Sequence, residues 1–197
     1  MVERRILALV ITAVAFIALR MQFDVPTIDP ALAAPGAKLW RMAGYFTVLA
    51  NLALAVQMAA VAMNRQVSGP RAAGFLVVMT VVGPVYHLLL AGLWQPQGAA
   101  SLADQGLHTA TPLLTALWWV AFAPKDIGLR HVPQWLIPPL LYGVYAVARG
   151  ALTGFWAYPF LDADTLGAVQ VGVNLAGMML VFAALGVLTV GAARLLR

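Results

Sequence analysis

Apolar residues run through the chain in six long stretches, and polar or turn-forming residues separate them. Each stretch comes close to the roughly 20 residues that an α-helix needs to cross about 30 Å of hydrocarbon. The pattern predicts an all-α, polytopic membrane protein: a six-helix transmembrane bundle that forms one domain over residues 1–197. The predicted helices cover residues 5–22, 40–63, 72–94, 102–122, 133–152 and 166–192.

Segments rich in proline, glycine and polar residues mark the joints between these helices. They include FDVPTIDPALAAPG, NRQVSGPR and TGFWAYPFLDAD. The first stretch, MVERRILALVITAVAFIALR, resembles a secretory signal peptide in its basic start and apolar centre. The small residues of ALAAPGA lie about ten residues beyond that centre, too far for a good cleavage site. We therefore interpret the stretch as a retained first helix.

Composition narrows the class of protein further. With 62% hydrophobic and 10% charged residues, the chain is neither disordered nor an ordinary soluble domain. Cysteine is absent, which excludes a disulfide framework and a thiolate metal site. With only three histidines, we expect neither a metal nor a cofactor. The net charge of +5 does not indicate a nucleic-acid partner, because the basic residues flank apolar segments.

The distribution of charge predicts how the bundle is oriented. Most basic residues fall on the side of the two termini, namely Arg4, Arg5, Arg65, Arg71, Lys125, Arg130, Arg194 and Arg197. By the positive-inside rule, both termini are then cytoplasmic. The Ala-, Gly- and Arg-rich composition is typical of a GC-rich bacterial source, so we expect the inner membrane.

Polar side chains from five predicted helices fall at similar depths in the outer, non-cytoplasmic half of the bilayer. They are Thr47, Asn51, His87, His108, Arg149 and Asn174. Because polar groups that face lipid are penalised, we expect them to face one another or a wet cavity. The alternative is a structural role, in which these side chains form interhelical hydrogen bonds or extend to the membrane surface. For Thr47 or Asn51 considered alone, the structural role is favoured. Two histidines at matching depth favour a site.

The segment LADQGLHTATPLLTALWW begins with polar residues that allow two interpretations. Ser101 and Asp104 fit a capping box at the start of a helix. Asp104 and His108 are also four residues apart on one helix face, so the carboxylate could orient the imidazole. Capping is the simpler explanation, but the sequence does not separate the two.

Prolines and aromatic residues complete the sequence predictions. Pro112 and Pro84 should kink their helices and open space beside His108 and His87. We predict that Trp118 and Trp119 anchor the helix at the inner interface. The aromatic residues predicted to form an interfacial belt are Trp94, Trp156, Tyr158 and Phe160.

Three segments, GYFTVLANL, LADQGLHTATPLL and TGFWAYPFLD, resemble the androgen-induced-protein family and its bacterial Pr6Pr membrane proteins. The resemblance covers most of the chain and implies a multi-pass membrane threonine hydrolase that cleaves fatty acid esters of hydroxy fatty acids. It places the family's nucleophile on Thr47 and its histidine on His108. Animal members carry Asn at the position of Asp104, which favours the capping interpretation, and the resemblance assigns no role to His87.

The implied mechanism is acyl transfer to Thr47 with His108 as the base. Asn51, Asn174 and Arg149 are candidate oxyanion donors, and Arg149 could instead bind a lipid carboxylate. The expected partner is a membrane lipid substrate. One alternative is a non-enzymatic carrier or binder of a lipid or small amphiphile, although no inverted repeat is evident. A purely structural membrane protein is the other.

Overall fold

The computed structural model describes residues 2–25, 33–93 and 95–197, and these ranges are helical without any β-strand. The helices are α1 (Val2–Asp24), α2 (Pro35–Met42), α3 (Phe46–Ala62), α4 (Gly69–Val85), α5 (Ala99–Gln105), α6 (Thr111–Phe122), α7 (Val132–Thr153), α8 (Ala163–Leu166) and α9 (Ala168–Leu195). π-helical turns extend α4 over Tyr86–Leu90 and join α5 to α6 over Gly106–Ala110. Trp94, predicted as a belt residue and a helix end, lies outside the described residues.

Four helical segments in the described ranges are long and apolar enough to cross a membrane: Val2–Asp24, Gly69–Leu90, Leu129–Thr153 and Ala168–Leu195. A fifth exists if the bent pair Pro35–Met42 and Phe46–Ala62 is one span. The chain therefore has the helices of a multi-pass membrane protein. The continuous helical segment 99–122 is not among these candidates, so the count of six spans stays a prediction.

The outer surface of the bundle is apolar, as a lipid environment requires. Large hydrophobic side chains point outward on most of the helices, including Leu9, Leu88, Leu141, Leu180 and Val169. Soluble proteins seldom expose so much contiguous apolar surface. In a bilayer, by contrast, such a surface costs nothing, because lipid tails are as apolar as leucine.

The largest core lies between α1, α3, α4, α6 and α9 and contains the tryptophan pair of α6. Trp118 and Trp119 are each 1% exposed, so the prediction that they anchor the interface is wrong. The Trp118 indole N–H donates to the carbonyl of Arg4 (3.1 Å), which explains how one of these rings is accommodated inside the bundle. The pair binds α1 to α6 instead of marking the membrane surface.

Side chains at the two ends of the chain bind the same end of the bundle. Arg4 donates to the carbonyl of Arg65, just after α3, at 3.1 Å. Arg197 donates to the carbonyls of Lys125 (2.8 Å) and Ile127 (2.9 Å), just after α6. Trp118 of α6 also binds the carbonyl of Arg4. These contacts bring residues near both ends of the chain to the same end of the bundle.

The largest departure from the sequence prediction is a break in the helix expected over 40–63. The structure has two helices there, α2 and α3, bent by 94° at Ala43, Gly44 and Tyr45. The physical reason lies in α7, whose side chains satisfy the carbonyl groups that the break leaves without helical partners. This bend determines where Thr47 lies.

Candidate functional site

Thr47 is the second residue of α3, immediately after the bend, and its side chain is buried. Tyr45 precedes the helix in an extended conformation, with φ of −101° and ψ of 129°, and its side chain does not cap α3. An α-helix leaves its first N–H groups without intrahelical partners, and those of Phe46 and Thr47 belong to this set. The bend therefore brings a hydroxyl group and helix N–H groups without intrahelical partners to the same point.

Three side chains from one face of α7 hold the bend in place. Tyr142 donates to the carbonyl of Gly44 (2.8 Å), Tyr145 to that of Ala43 (3.1 Å), and Arg149 to that of Trp40 (2.7 Å). A carbonyl that is buried without a partner is costly, especially where no water reaches it. The α7 side chains provide these partners, which makes the sharp turn tolerable inside the bundle.

Arg149 belongs to this structural support and does not line the cavity beside Thr47. It is 6% exposed, and its guanidinium carbon lies 4.2 Å from the ring centre of Trp40 and 4.6 Å from that of Phe155. A Cβ at Gly44 would come within 2.6 Å of Nη1 of Arg149, so only glycine fits there. Arg149 was predicted to donate to an oxyanion or to a lipid carboxylate. That role competes with the role of Arg149 in holding the bend.

Thr47 lines a small cavity of about 70 Å³ between α3, α4, α7 and α9. Besides Thr47, the polar residues in its wall are Tyr86, Tyr142, Tyr158 and Asn174, and the rest of the wall is apolar. Asn174 donates to the carbonyl of Phe160 (2.8 Å) and accepts from Gln170 (2.9 Å). The cavity thus has one polar end, around Thr47, and a hydrocarbon lining.

Tyr158 is the site residue that the sequence analysis misassigned. It was predicted to be an interfacial aromatic, but it is buried beside Thr47, so that prediction is wrong. Burial raises the pKa of its phenol, and hydrogen bonding with the Thr47 side chain and with the N–H groups of Thr47 and Phe46 lowers it in part. The phenol is therefore neutral at physiological pH and lies at the N-terminus of α3.

Asn51, one turn below Thr47, uses all its hydrogen-bonding groups to join two segments. It is 0% exposed; its amide donates to the carbonyls of Thr47 (2.9 Å) and Leu107 (3.2 Å), and its oxygen accepts from Thr111 (2.6 Å). Both of its donors are engaged, so it has no free N–H for a substrate oxyanion. The arrangement matches the interhelical hydrogen bonding that the sequence allowed for Asn51.

His108 belongs to a cluster with Asp104 and Tyr86. Its Nδ1 lies 3.1 Å from the Asp104 carbonyl oxygen and 3.2 Å from the Asp104 carboxylate. The Tyr86 hydroxyl donates to the other carboxylate oxygen at 2.6 Å, and the Tyr86 and His108 rings stack with centroids 3.8 Å apart. A carbonyl oxygen can only accept, so Nδ1 carries a proton, and Nε2 is the ring nitrogen left to accept one.

The capping interpretation of Asp104 is wrong. Helix α5 begins at Ala99 after Gly98, whose φ of 58° suits glycine, and no side chain caps this helix. Ser101 is already inside α5, and Asp104 lies near the C-terminal end of that helix, 3% exposed. Its carboxylate binds His108 and Tyr86, which is the orienting alternative that the sequence left open.

Both histidines of the predicted polar layer, His87 and His108, lie in π-helical turns, at Tyr86–Leu90 and Gly106–Ala110. Each turn adjoins a proline, Pro84 or Pro112, as the predicted kinks require. π-Turns inside helices are rare and often mark functional sites. Gly83 lets the second turn approach α4 closely, because a Cβ there would lie 3.2 Å from the carbonyl oxygen of His108.

His87 lies at the surface and does not line the cavity. Its Nε2 is 3.0 Å from the hydroxyl of Thr109, which in turn donates to Gln105 (2.9 Å). Its ring also meets the edge of Tyr86, with centroids 5.2 Å apart. The structure thus places His87 beside the His108 cluster and outside the cavity of Thr47.

Thr47 and His108 both lie beside Tyr86, but no hydrogen bond between Thr47 and His108 occurs within the described residues. Tyr86 lines the cavity that contains Thr47 and stacks on the ring of His108. A second link runs through Asn51, which binds the carbonyls of Thr47 and Leu107, the latter being the residue before His108. The predicted pair therefore lies on adjoining segments, joined through shared contacts.

No group of three or more His, Asp or Glu residues that could hold a metal ion occurs in ranges 2–25, 33–93 and 95–197. Comparison with protein-family models, with curated proteins and with solved structures finds no match for this chain. The resemblance to the androgen-induced-protein family therefore stays an expectation drawn from the sequence segments.

Proposed function

We propose that this protein is an intramembrane hydrolase of carboxylic ester bonds in lipids, with Thr47 as the nucleophile and His108 as the base. The observation that carries the proposal is the position of Thr47. Its hydroxyl lies at the N-terminus of a helix, in a mostly apolar cavity, with Tyr86 linking that cavity to the imidazole of His108. Fatty acid esters of hydroxy fatty acids, or similar acyl esters, are the proposed substrates.

In the proposed first step, Thr47 Oγ attacks the carbonyl carbon of the ester while its proton passes to Nε2 of His108. The tetrahedral intermediate collapses, the C–O bond to the alcohol breaks, and the alcohol takes that proton from His108. Water then adds to the threonyl ester while His108 accepts its proton. The bond to Thr47 Oγ breaks, Oγ takes that proton back from His108, and the fatty acid is released. Asp104 holds Nδ1–H throughout, so Nε2 remains the exchanging nitrogen.

Charge on the oxyanion would be stabilised at the start of α3. The proposed donors at that point are the N–H groups of Phe46 and Thr47, which lack intrahelical partners, and the neutral phenol of Tyr158. A bound oxyanion would replace the phenol oxygen as the acceptor of these N–H groups. This assignment differs from the predicted donors, because Asn51 and Arg149 already use N–H groups to support the fold. Asn174 lines the cavity and is the remaining predicted donor.

Substrate binding must bring His108 and Thr47 together. Hydrogen bonds between catalytic groups are often long or absent without substrate and form in the substrate complex. Tyr86 lines the cavity of Thr47 and stacks on His108, so a movement of its ring is the proposed route by which Nε2 reaches the Thr47 hydroxyl. Tyr86 and His108 both lie in π-turns, which are rare inside helices and often mark functional sites.

We further propose six membrane spans, with α2–α3 as one broken span and 99–122 as another. The polar cluster of Asp104 and His108 explains why the second of these is less apolar than the rest. The basic residues near both termini favour a cytoplasmic location of the termini in the inner membrane. Thr47 then lies in the outer half of the bilayer, where the ester of a lipid approaches the surface.

Covalent labelling tests the hydrolase. The purified full chain is treated with a fluorophosphonate probe, alongside Thr47→Ala, His108→Ala and the control Thr12→Ala, whose hydroxyl donates to the carbonyls of Ala8 and Ala55, away from the site. We expect labelling of wild type and the control, with loss of at least about tenfold in the other two. Equal labelling of Thr47→Ala and wild type would contradict the proposed nucleophile.

A non-enzymatic binder of a lipid or small amphiphile is the second candidate. A separate groove of about 770 Å³ between α3, α4 and α7 favours it, since this volume suits a lipid chain. Such a binder would hold lipid without labelling or hydrolysis, so retention of lipid with no Thr47-dependent labelling would favour it over the hydrolase.

A further inference from the structure

The groove between α3, α4 and α7 is distinct from the cavity of Thr47. Its volume is about 770 Å³, and its walls are mostly apolar, with Leu49, Phe75 and Leu141 among them. Phe46 and Tyr142 line both spaces, and their ring centroids are 5.0 Å apart. The two rings thus form a wall that closes the groove off from Thr47.

The length of the groove matches one leaflet of a bilayer. Along α7 its lining runs from Gln134 to Tyr145, which is about 16 Å at 1.5 Å per residue. The hydrocarbon of a bilayer is about 30 Å thick, so one leaflet contributes about 15 Å. An acyl chain that enters at the Gln134 end would finish against Tyr142 and Tyr145.

Polar groups lie only at the two ends of the groove, and a positive charge lies at the entrance. Ser68, Arg71 and Gln134, all exposed, surround that end, while the hydroxyl groups at the other end bind α2–α3 carbonyls. No described acidic side chain forms an ion pair with Arg71. A guanidinium at the mouth of an apolar groove complements the charge of an anionic headgroup. One guanidinium can donate two parallel hydrogen bonds to two oxygens of the same phosphate.

We propose that this groove binds one acyl chain of an anionic phospholipid, whose phosphate is bound by Arg71. The site differs from the proposed catalytic site and does not depend on hydrolysis. Arg71 supplies the preference for negative charge, and the apolar walls hold the chain. A lipid in this position also packs against Phe46 and Tyr142, so its binding supports the wall beside Thr47.

Native mass spectrometry tests the proposal with the full chain reconstituted in nanodiscs of equal phosphatidylglycerol and phosphatidylcholine, with identical chains. We expect wild type to retain phosphatidylglycerol in preference to phosphatidylcholine after release. Arg71→Gln should lower that preference about fivefold, the contribution of one basic residue near a membrane surface. Arg194→Gln, at an exposed position in the last turn of α9, is the matched control and should leave the preference unchanged.

A second pair of variants tests the groove itself. Ala53→Trp fills it from an exposed position on α3, and Ala121→Trp adds the same side chain to an exposed position on α6 outside it. We expect only Ala53→Trp to lose the retained lipid. Equal retention of both phospholipids by wild type, an unchanged preference in Arg71→Gln, or lipid retention by Ala53→Trp would each overturn the proposal.

Discussion

The imidazole of His108 lies flat on the phenol ring of Tyr86, with ring centroids 3.8 Å apart and planes 15° from parallel. Both residues also bind the same carboxylate, that of Asp104. The stack and the two contacts to Asp104 fix the plane of the imidazole and the nitrogen that carries its proton. His108 is therefore positioned from two helical segments at once, as a base that must work in one geometry requires.

Asp104→Asn should disturb this arrangement with little change in shape. An amide can turn its NH₂ group toward the imidazole and reverse the tautomer, so we expect Nδ1–H to give way to a mixture of tautomers. Labelling of Thr47 by a fluorophosphonate should fall at least about tenfold, the loss expected when a charged hydrogen bond is removed. ¹⁵N NMR of the histidine ring measures the tautomer directly. An unchanged ¹⁵N spectrum would show that Asp104 does not position His108.

Gly83→Ala should displace the π-turn that carries His108. The new Cβ would lie 3.2 Å from the carbonyl oxygen of His108, which is backbone and cannot move away alone. Overpacking of this kind costs about 1–3 kcal/mol, more than the roughly 1 kcal/mol that alanine gains over glycine in a helix. Thermal unfolding in detergent measures the difference against Gly177→Ala, where nothing lies within 4 Å. A Gly83→Ala protein more stable than the Gly177→Ala protein would contradict the close approach.

The sequence predicted helices well where an apolar run decides the structure, as in α1, α7 and α9. It failed at Gly44, because the bend there depends on Tyr142, Tyr145 and Arg149, which come about 100 residues later. Local propensity contains no information about such contacts. The π-turns were anticipated only as kinks, since a proline indicates a disturbed backbone but not its form.

The sequence predicted Thr47 and His108 of the candidate site, but it misassigned Tyr158 and Asp104. Thr47 and His108 were two of six polar residues predicted at matching depth from the lengths of the apolar segments, and only the family resemblance singled out Thr47 as the nucleophile. Tyr158 was not, because an aromatic residue in a loop beside a membrane helix has the same sequence signature whether it faces lipid or a cavity. Asp104 was misread because Ser101 and Asp104 have capping spacing, whereas the helix starts earlier, at Ala99.

Gly44→Ala should destabilise the bend between α2 and α3. Its Cβ would lie 2.5 Å from the ring of Phe155 and 2.6 Å from Nη1 of Arg149, distances that force one of them to move. We expect a loss of about 1–3 kcal/mol in the free energy of unfolding. Gly36→Ala in α2 is the matched control, because nothing lies within 4 Å of its added Cβ. Equal stability of the two variants would show that the packing of Arg149 against Gly44 is not tight.

Asn51→Ala separates support of the fold from catalysis. The substitution leaves the Thr111 hydroxyl and the Leu107 carbonyl with fewer partners in a fully buried position. Each buried group that loses its hydrogen bond costs about 1–3 kcal/mol, so the free energy of unfolding should fall by at least that amount. Fluorophosphonate labelling per folded molecule should stay within a few-fold of wild type, because both Asn51 donors already bind backbone carbonyls.

Asn174→Ala, which removes an amide from the cavity wall, is the comparison, and we expect it to affect stability less. A variant of Asn51 that unfolds like wild type but labels at least about tenfold more slowly would restore the predicted oxyanion role of this residue.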